Sequence, residues 1–191
     1  MDRTALLYAL FVAVAVGVAI WERVYALANE RRLLAGGARE VAAWVFRLMA
    51  PVYSLIFPAA LAEHLALDRR PSAPLALAMV ALFLLAKALK LWAVLQLRGH
   101  WTMKVIVPRS FRVVCTGPYR YLRHPNYVAV LAEVLVLPLA GGAWITALAG
   151  GAVFVFLLAA RVRSEEGALM ALPEYARRMA SKRRFIPGRE R

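Results

Sequence analysis

The sequence predicts an all-α integral membrane protein, one domain over residues 1–191 with five transmembrane helices. Three observations carry this reading. The chain is 62% hydrophobic with a mean hydropathy of +0.61, where soluble domains are roughly half apolar. The apolar residues gather into runs long enough to reach across a bilayer. The cations, 25 Lys and Arg in all, sit mainly at the ends of those runs. Spans packed together bury their polar positions, so a single domain is expected.

The spans follow in order. Residues 4–21 carry no charge and cover about 27 Å of helix. Met1-Asp2-Arg3 before them is followed by no small-residue cleavage site, so a retained span is expected and not a cleaved signal. Trp21 and Tyr25 suit the interface. Residues 22–40 are charged and include Gly36-Gly37, a helix stop, so they read as a loop. Residues 41–61 form the second span despite Pro51 and Pro58, because neighbouring helices can satisfy the freed carbonyls. Glu63 and His64 fall at its far end, where His64 reads as a solvated loop residue. Asp68-Arg69-Arg70-Pro71 is a turn, and residues 72–97 form the third span. Arg47, Lys87 and Lys90 within spans are expected to snorkel to the interface.

A polar connection, residues 98–123, leads to the fourth span, 126–140. Its VIV (105–107) and FRVV (111–114) segments suit short extended pieces. Gly141-Gly142 turns the chain into the fifth span, 143–160. The tail, 161–191, is polar, and its first part continues the fifth helix.

Counting Lys and Arg by side places nineteen with the first loop, the long connection and the tail, and three on the opposite side. The positive-inside rule then sets the N-terminus outside and the C-terminus in the cytoplasm. A net charge of +14 would suggest nucleic acid in a soluble protein; here orientation explains it, and no nucleic-acid partner is expected. The single cysteine, Cys115, excludes an internal disulfide and a Cys-based zinc site. With three histidines and no HxxxH or HExxH pattern, no metal is assigned.

Two polar blocks carry the candidate chemistry. TGPYRYLRHPNY (116–127) has a Gly-Pro turn and a proline suited to the first turn of span 4. His124 then lies at a helix N-terminus, whose free N–H groups favour an anion. RVRSEE (161–166) closes span 5. Adjacent residues on a helix point about 100° apart, so one of Glu165 and Glu166 can face a site while the other caps or pairs. Such a carboxylate can bind a ribose diol or a cation; it can equally belong to a solvated face with Arg161–Glu165 pairing. Glu133 in mid-span needs a partner, for which Arg47, Lys87 and Lys90 are the candidates.

GPYRYLRHPNY, an apolar hairpin, RVRSEEGAL and the tail PEYARRMASKRRFIPG together resemble the isoprenylcysteine carboxyl methyltransferase family. The pattern GPYxxxRHPxY…RxxxEExxL matches Gly117, Pro118, Tyr119, Arg123, His124, Pro125, Tyr127, Arg161, Glu165, Glu166 and Leu169. Tyr175, Ile186 and Pro187 match its closing segment. The resemblance implies S-adenosylmethionine between the RHP turn and the double glutamate. Gly117, Tyr119, His124, Pro125, Tyr127, Glu165 and Glu166 are then the cofactor-binding residues. It also implies a lipophilic substrate entering from the bilayer. The first half, with Glu22-Arg23, Glu30-Arg31-Arg32 and His100-Trp101-Thr102, is similar to members associated with type III polyketide synthases. In those the acceptor is an enol or phenol of an alkylpyrone or alkylresorcinol. Tyr53 stands where a His is usual in span 2, and Arg178 where a second tail Tyr is usual.

On this reading the reaction is O-methylation of a prenylcysteine carboxylate or an alkylpyrone or alkylresorcinol hydroxyl by direct displacement. Arg123 and Arg161 are the candidates to orient the acceptor anion, and Glu133 or His124 to take a phenol's proton. No glycine-rich strand-to-helix turn supports a Rossmann site. The competing readings are an NADPH-dependent reductase similar to those of sterols, and a non-enzymatic basic protein binding anionic membrane lipids.

Overall fold

The computed structural model describes residues 2–108 and 113–187. Phe111 and Arg112 of the FRVV segment, and tail residues 188–191, lie outside the described residues. The helices are α1 (Arg3–Ala35), α2 (Ala43–Ala66), α3 (Ala73–Leu97), α4 (Pro125–Ala140), α5 (Gly151–Met170, entered through a π-helical turn at Thr146–Gly150) and α6 (Pro173–Met179). Four are long and apolar enough to cross a membrane: α1, α2, α3 with its extension to His100, and α5 with its leading turn. α4, with 16 residues, is a shorter apolar helix of about 24 Å. Leu7, Val14, Leu55, Leu77, Leu148 and Phe156 point outward from different helices. Such a girdle suits lipid and not water.

The chain is not purely α. β1 (Arg39–Val41) pairs antiparallel with β2 (Val105–Val107), with Glu40 opposite Ile106. This fixes the first inter-helix loop against the long connection, and Lys104 adds an ion pair to Glu40 at 2.8 Å.

α1 also overruns its predicted end at residue 21 by 14 residues and continues as helix to Ala35. Glu22, Asn29 and Glu30, which resembled loop residues, are buried and partnered. Asn29 Nδ2 donates to the Trp101 carbonyl at 2.9 Å, and Arg32 donates to the Gly99 carbonyl at 2.6 Å. Glu30, 3% exposed, pairs with Arg23 and accepts from the backbone N–H groups of Met103 and Lys104. Helix is thereby stabilised by tertiary contacts where composition alone indicated a break.

At the opposite end, Asp2 caps α1 by accepting from Ala5 N at 2.8 Å and pairs with Arg70 of the α2–α3 turn. Glu63 accepts from the backbone N–H groups of Ile145 and Thr146 at 3.0 and 2.7 Å, so it caps the start of the last long helix. His64 is not solvated: it is buried in α2, and its Nδ1–H donates to the Gly141 carbonyl at 2.8 Å. A Cβ on Gly141 would lie 2.2 Å from the Tyr8 ring, so this turn needs a residue without a side chain. Consecutive long elements therefore alternate in direction. The N-terminus, the α2–α3 turn and the α4–α5 turn share one end; the sheet, the long connection and the tail share the other.

Lys87 and Lys90 do not snorkel. Lys90, 4% exposed, contacts Glu22 at 2.6 Å and Glu133 at 3.3 Å; Lys87 contacts the same two carboxylates at 3.0 and 3.1 Å. Tyr53 donates to Glu133 at 2.7 Å. Two cations and two anions cancel, which makes a buried cluster affordable where a lone charge is not. Arg47 is exposed and does not belong to the cluster, so of the three candidate partners for Glu133 the two lysines are the ones engaged.

Candidate functional site

The two polar blocks meet. Gly117 starts a short 3-10 turn with φ +58, and a Cβ there would come within 2.6 Å of the Gln96 side chain. Glycine meets both the left-handed backbone and the close approach. Pro125 is fully buried at the first turn of α4, the position where its missing N–H costs nothing. His124 stands directly before it as the N-cap residue.

Across from this turn, α5 presents Arg161, Glu165 and Glu166. Arg161 Nε donates to the Tyr127 hydroxyl at 2.6 Å, and that hydroxyl donates to Glu165. Tyr127 thus links the cation to the carboxylate one helical turn further on, and its ring stacks on His124 with centroids 5.2 Å apart.

Glu166 faces the other way, as the 100° step between neighbours requires. One of its oxygens meets His124 Nε2 at 2.9 Å and Arg123 at 3.3 Å; the other accepts from Arg184 at 2.7 and 2.9 Å. This carboxylate is a clamp. The tail runs back alongside the turn: Arg123 N and His124 N donate to the carbonyls of Arg183 and Arg184 at 3.0 and 3.1 Å. Arg123 Nε donates to the Lys182 carbonyl, and Lys182 donates to the Tyr119 carbonyl. Nothing local in KRRF announces this return, because backbone carbonyls carry no sequence signature.

Between these elements lies a cleft with a volume of about 140 Å³. Of the predicted site residues, Tyr119, Arg123, His124, Tyr127, Arg161 and Glu165 line it; Gly117, Pro125 and Glu166 are not among its lining residues. Glu133 is not among its lining residues and belongs to the Lys87–Lys90 cluster. The structure adds Trp101, Lys104, β2, Asn126, Leu169 and Tyr175 to the lining. The position of Asn126 inside the RHPNY motif was the available signal for one of them. Burial pushes the hydroxyls of Tyr119 and Tyr175 above the ordinary tyrosine range, so both stay protonated donors. Asn126 Oδ1 and Trp101 Nε1 are buried and find no hydrogen-bond partner among the described residues. Buried polar atoms in native proteins are nearly always paired, so two such atoms in one cleft indicate a ligand's place. Arg178 is exposed and pairs with Glu174 at 3.2 Å, turned to solvent at the tail position where a tyrosine is usual.

Comparison with known proteins follows the same lines. The model of the isoprenylcysteine carboxyl methyltransferase (ICMT) family matches residues 79–171. The chain is 30% identical over 148 residues to the uncharacterized protein YpbQ of Bacillus subtilis (strain 168), covering 78% of this chain and 88% of that one. It is also 30% identical over 94 residues to an uncharacterized protein of Haemophilus influenzae (strain ATCC 51907 / DSM 11121 / KW20 / Rd), covering 49% and 55%. With the paired polar blocks, the matched family segment and a relative aligned over most of both chains, this chain belongs to the isoprenylcysteine carboxyl methyltransferase family.

Proposed function

We propose that the protein is an S-adenosylmethionine-dependent O-methyltransferase that modifies a lipophilic acceptor at the cytoplasmic face of a prokaryotic membrane. The observation that carries this reading is the cleft's set of groups. It combines a carboxylate (Glu165), a held cation (Arg161), aromatic faces (Tyr119, Tyr127, Tyr175) and an unpaired amide oxygen (Asn126). A ligand bearing hydroxyls, a carboxylate, a cationic sulfur and a heteroaromatic ring complements each of these. Bound there, the cofactor supplies an activated methyl group.

The chain's own residues supply placement. Tyr127 and Arg161 hold Glu165 in one rotamer, so its carboxylate needs no reorganisation on binding. Arg161 is the better candidate to orient an anionic oxygen; Arg123 is committed to Glu166 and the tail and acts as a positioning residue. Apolar walls from Val105, Val113, Leu169 and Met179 keep water from the reacting oxygen. Holding two reactants aligned can lower a barrier by about 7–11 kcal/mol. The acceptor is an alkylpyrone or alkylresorcinol hydroxyl or a prenylcysteine carboxylate. An acceptor already ionised requires little of a base, which accords with Glu133 standing apart from the cleft. On this reading α4 is a fifth, short crossing, and the nineteen cations on the end that carries the cleft favour the cytoplasmic side for it.

The test is transfer of a labelled methyl from S-adenosylmethionine by purified protein in detergent, with prenylcysteine analogues and alkylpyrones as rival acceptors. Transfer to one class supports the reading. Transfer to neither, with no cofactor binding, removes it.

A further inference from the structure

A second cavity, of about 310 Å³, lies between α1 and α3. These two helices run in the same direction, and the character of the groove changes along them. At one end it is lined by Phe11, Val14, Val18, Val80 and Leu84, all apolar; at the other by Glu22, Lys87, Lys90 and Trp101. Trp101 also lines the cleft described above, so the two spaces share this residue in their walls. It is 4% exposed, stacks on Tyr25 at 6.1 Å, and its Nε1–H lacks a partner among the described residues. From Phe11 to Glu22 the groove follows 11 helical steps, about 16 Å or roughly a dozen extended chain carbons.

We infer that the α1–α3 groove is the acceptor's seat, taking a single-chain amphiphile whose tail lies toward Phe11 and whose head reaches the cleft past Trp101. The occupant is of one class: an unbranched or sparsely branched chain ending in an oxygen that accepts a hydrogen bond from the indole N–H. Glu22, Lys87, Lys90 and Glu133 carry balanced charge, so that end offers polarity without demanding a charged head. A buried donor gains its missing partner only when such an oxygen is present. This inference rests on the methyltransferase reading for the acceptor's identity, but not for its seat.

Two probes separate the two ideas. Both carry a twelve-carbon chain ending in a diazirine, one with a hydroxypyrone head and one with an S-alkylcysteine carboxylate. Photolysis with the full-length protein in detergent, followed by peptide mapping, should place adducts around Phe11, Val14, Val80 and Leu84. Excess unlabelled amphiphile should compete them away. Val18→Trp, which fills the groove, should reduce them at least ten-fold; Phe156→Trp, on the lipid-facing side of α5, should leave them unchanged. Trp101→Phe keeps the ring and removes the donor; it should retain tail adducts but weaken probe affinity roughly ten-fold. Adducts on α2, α4 or α5, or uniform labelling without competition, overturn the groove assignment. Unchanged affinity in Trp101→Phe overturns the placement of the head. Groove labelling with neither methyl transfer nor cofactor binding would instead remove the methyltransferase reading and leave the seat standing.

Discussion

At the scale of single residues, the hydroxyl of Tyr127 carries more than its size suggests. It accepts from Arg161 and donates to Glu165, so one oxygen sets two charged side chains. Tyr127→Phe removes both bonds while keeping the ring on His124. Hydrogen bonds to charged groups are worth about 1.5–3 kcal/mol, so cofactor affinity measured by calorimetry should fall on the order of ten- to a hundred-fold. Arg161→Lys keeps the charge but loses the fixed guanidinium fork; methyl transfer should drop at least about ten-fold with thermal stability little changed. Glu166 acts differently. Its three partners, Arg123, His124 and Arg184, join the histidine turn to the tail, and removing it takes the carboxylate away from the buried Arg123. Breaking a buried pair costs about 3–5 kcal/mol. Glu166→Ala should therefore be cut by trypsin at Lys182 and Arg183 much faster than the wild type. A tail equally resistant in the variant would show that the clamp is not what holds it.

At the scale of elements, the four-charge cluster ties α1, α3 and α4 together within the apolar region. Lys90→Met strands a carboxylate and should lower the detergent melting temperature sharply. The double variant Lys90→Met with Glu133→Gln should recover much of that loss, since charge balance is restored with Glu22 facing Lys87. A double variant as unstable as the sum of its parts would mean that the residues do not act as a unit. Helices were legible in the sequence where apolar runs were bounded by glycine or proline: α3 and α4 begin and end within two residues of those signals, whereas α2 starts six residues after Gly37 and ends five before Pro71. Other features were not. α1 continues through Glu22, Asn29 and Glu30 because partners in the distant connection satisfy them, and a charge pattern cannot reveal a partner. The three-residue strands are too short for alternation to register, and the burial of Lys87 and Lys90 depends on a glutamate 65 residues away. The RHP turn and the double glutamate were legible because proline, glycine and adjacent carboxylates constrain geometry by themselves. Which glutamate faces the cleft was not, since that depends on the rotation of α5.

At the scale of the whole molecule, the proposed topology rests on the charge asymmetry and the alternating helices. In a Cys115→Ala background, Thr116→Cys lies exposed on the end that carries the cleft, and Leu67→Cys on the opposite end. A membrane-impermeant maleimide should label Leu67→Cys in intact spheroplasts and Thr116→Cys only after lysis. Labelling of both from the same side would remove α4 as a crossing. The central claim, that the proline-bounded histidine turn and the end of α5 together form the cofactor site, is tested most directly by calorimetric titration of the purified protein with S-adenosylmethionine. Saturable one-to-one binding is expected, weakened at least about ten-fold by Glu165→Ala and unaffected by Glu133→Gln. Absence of binding, or a loss that follows Glu133 and spares Glu165, would contradict that claim.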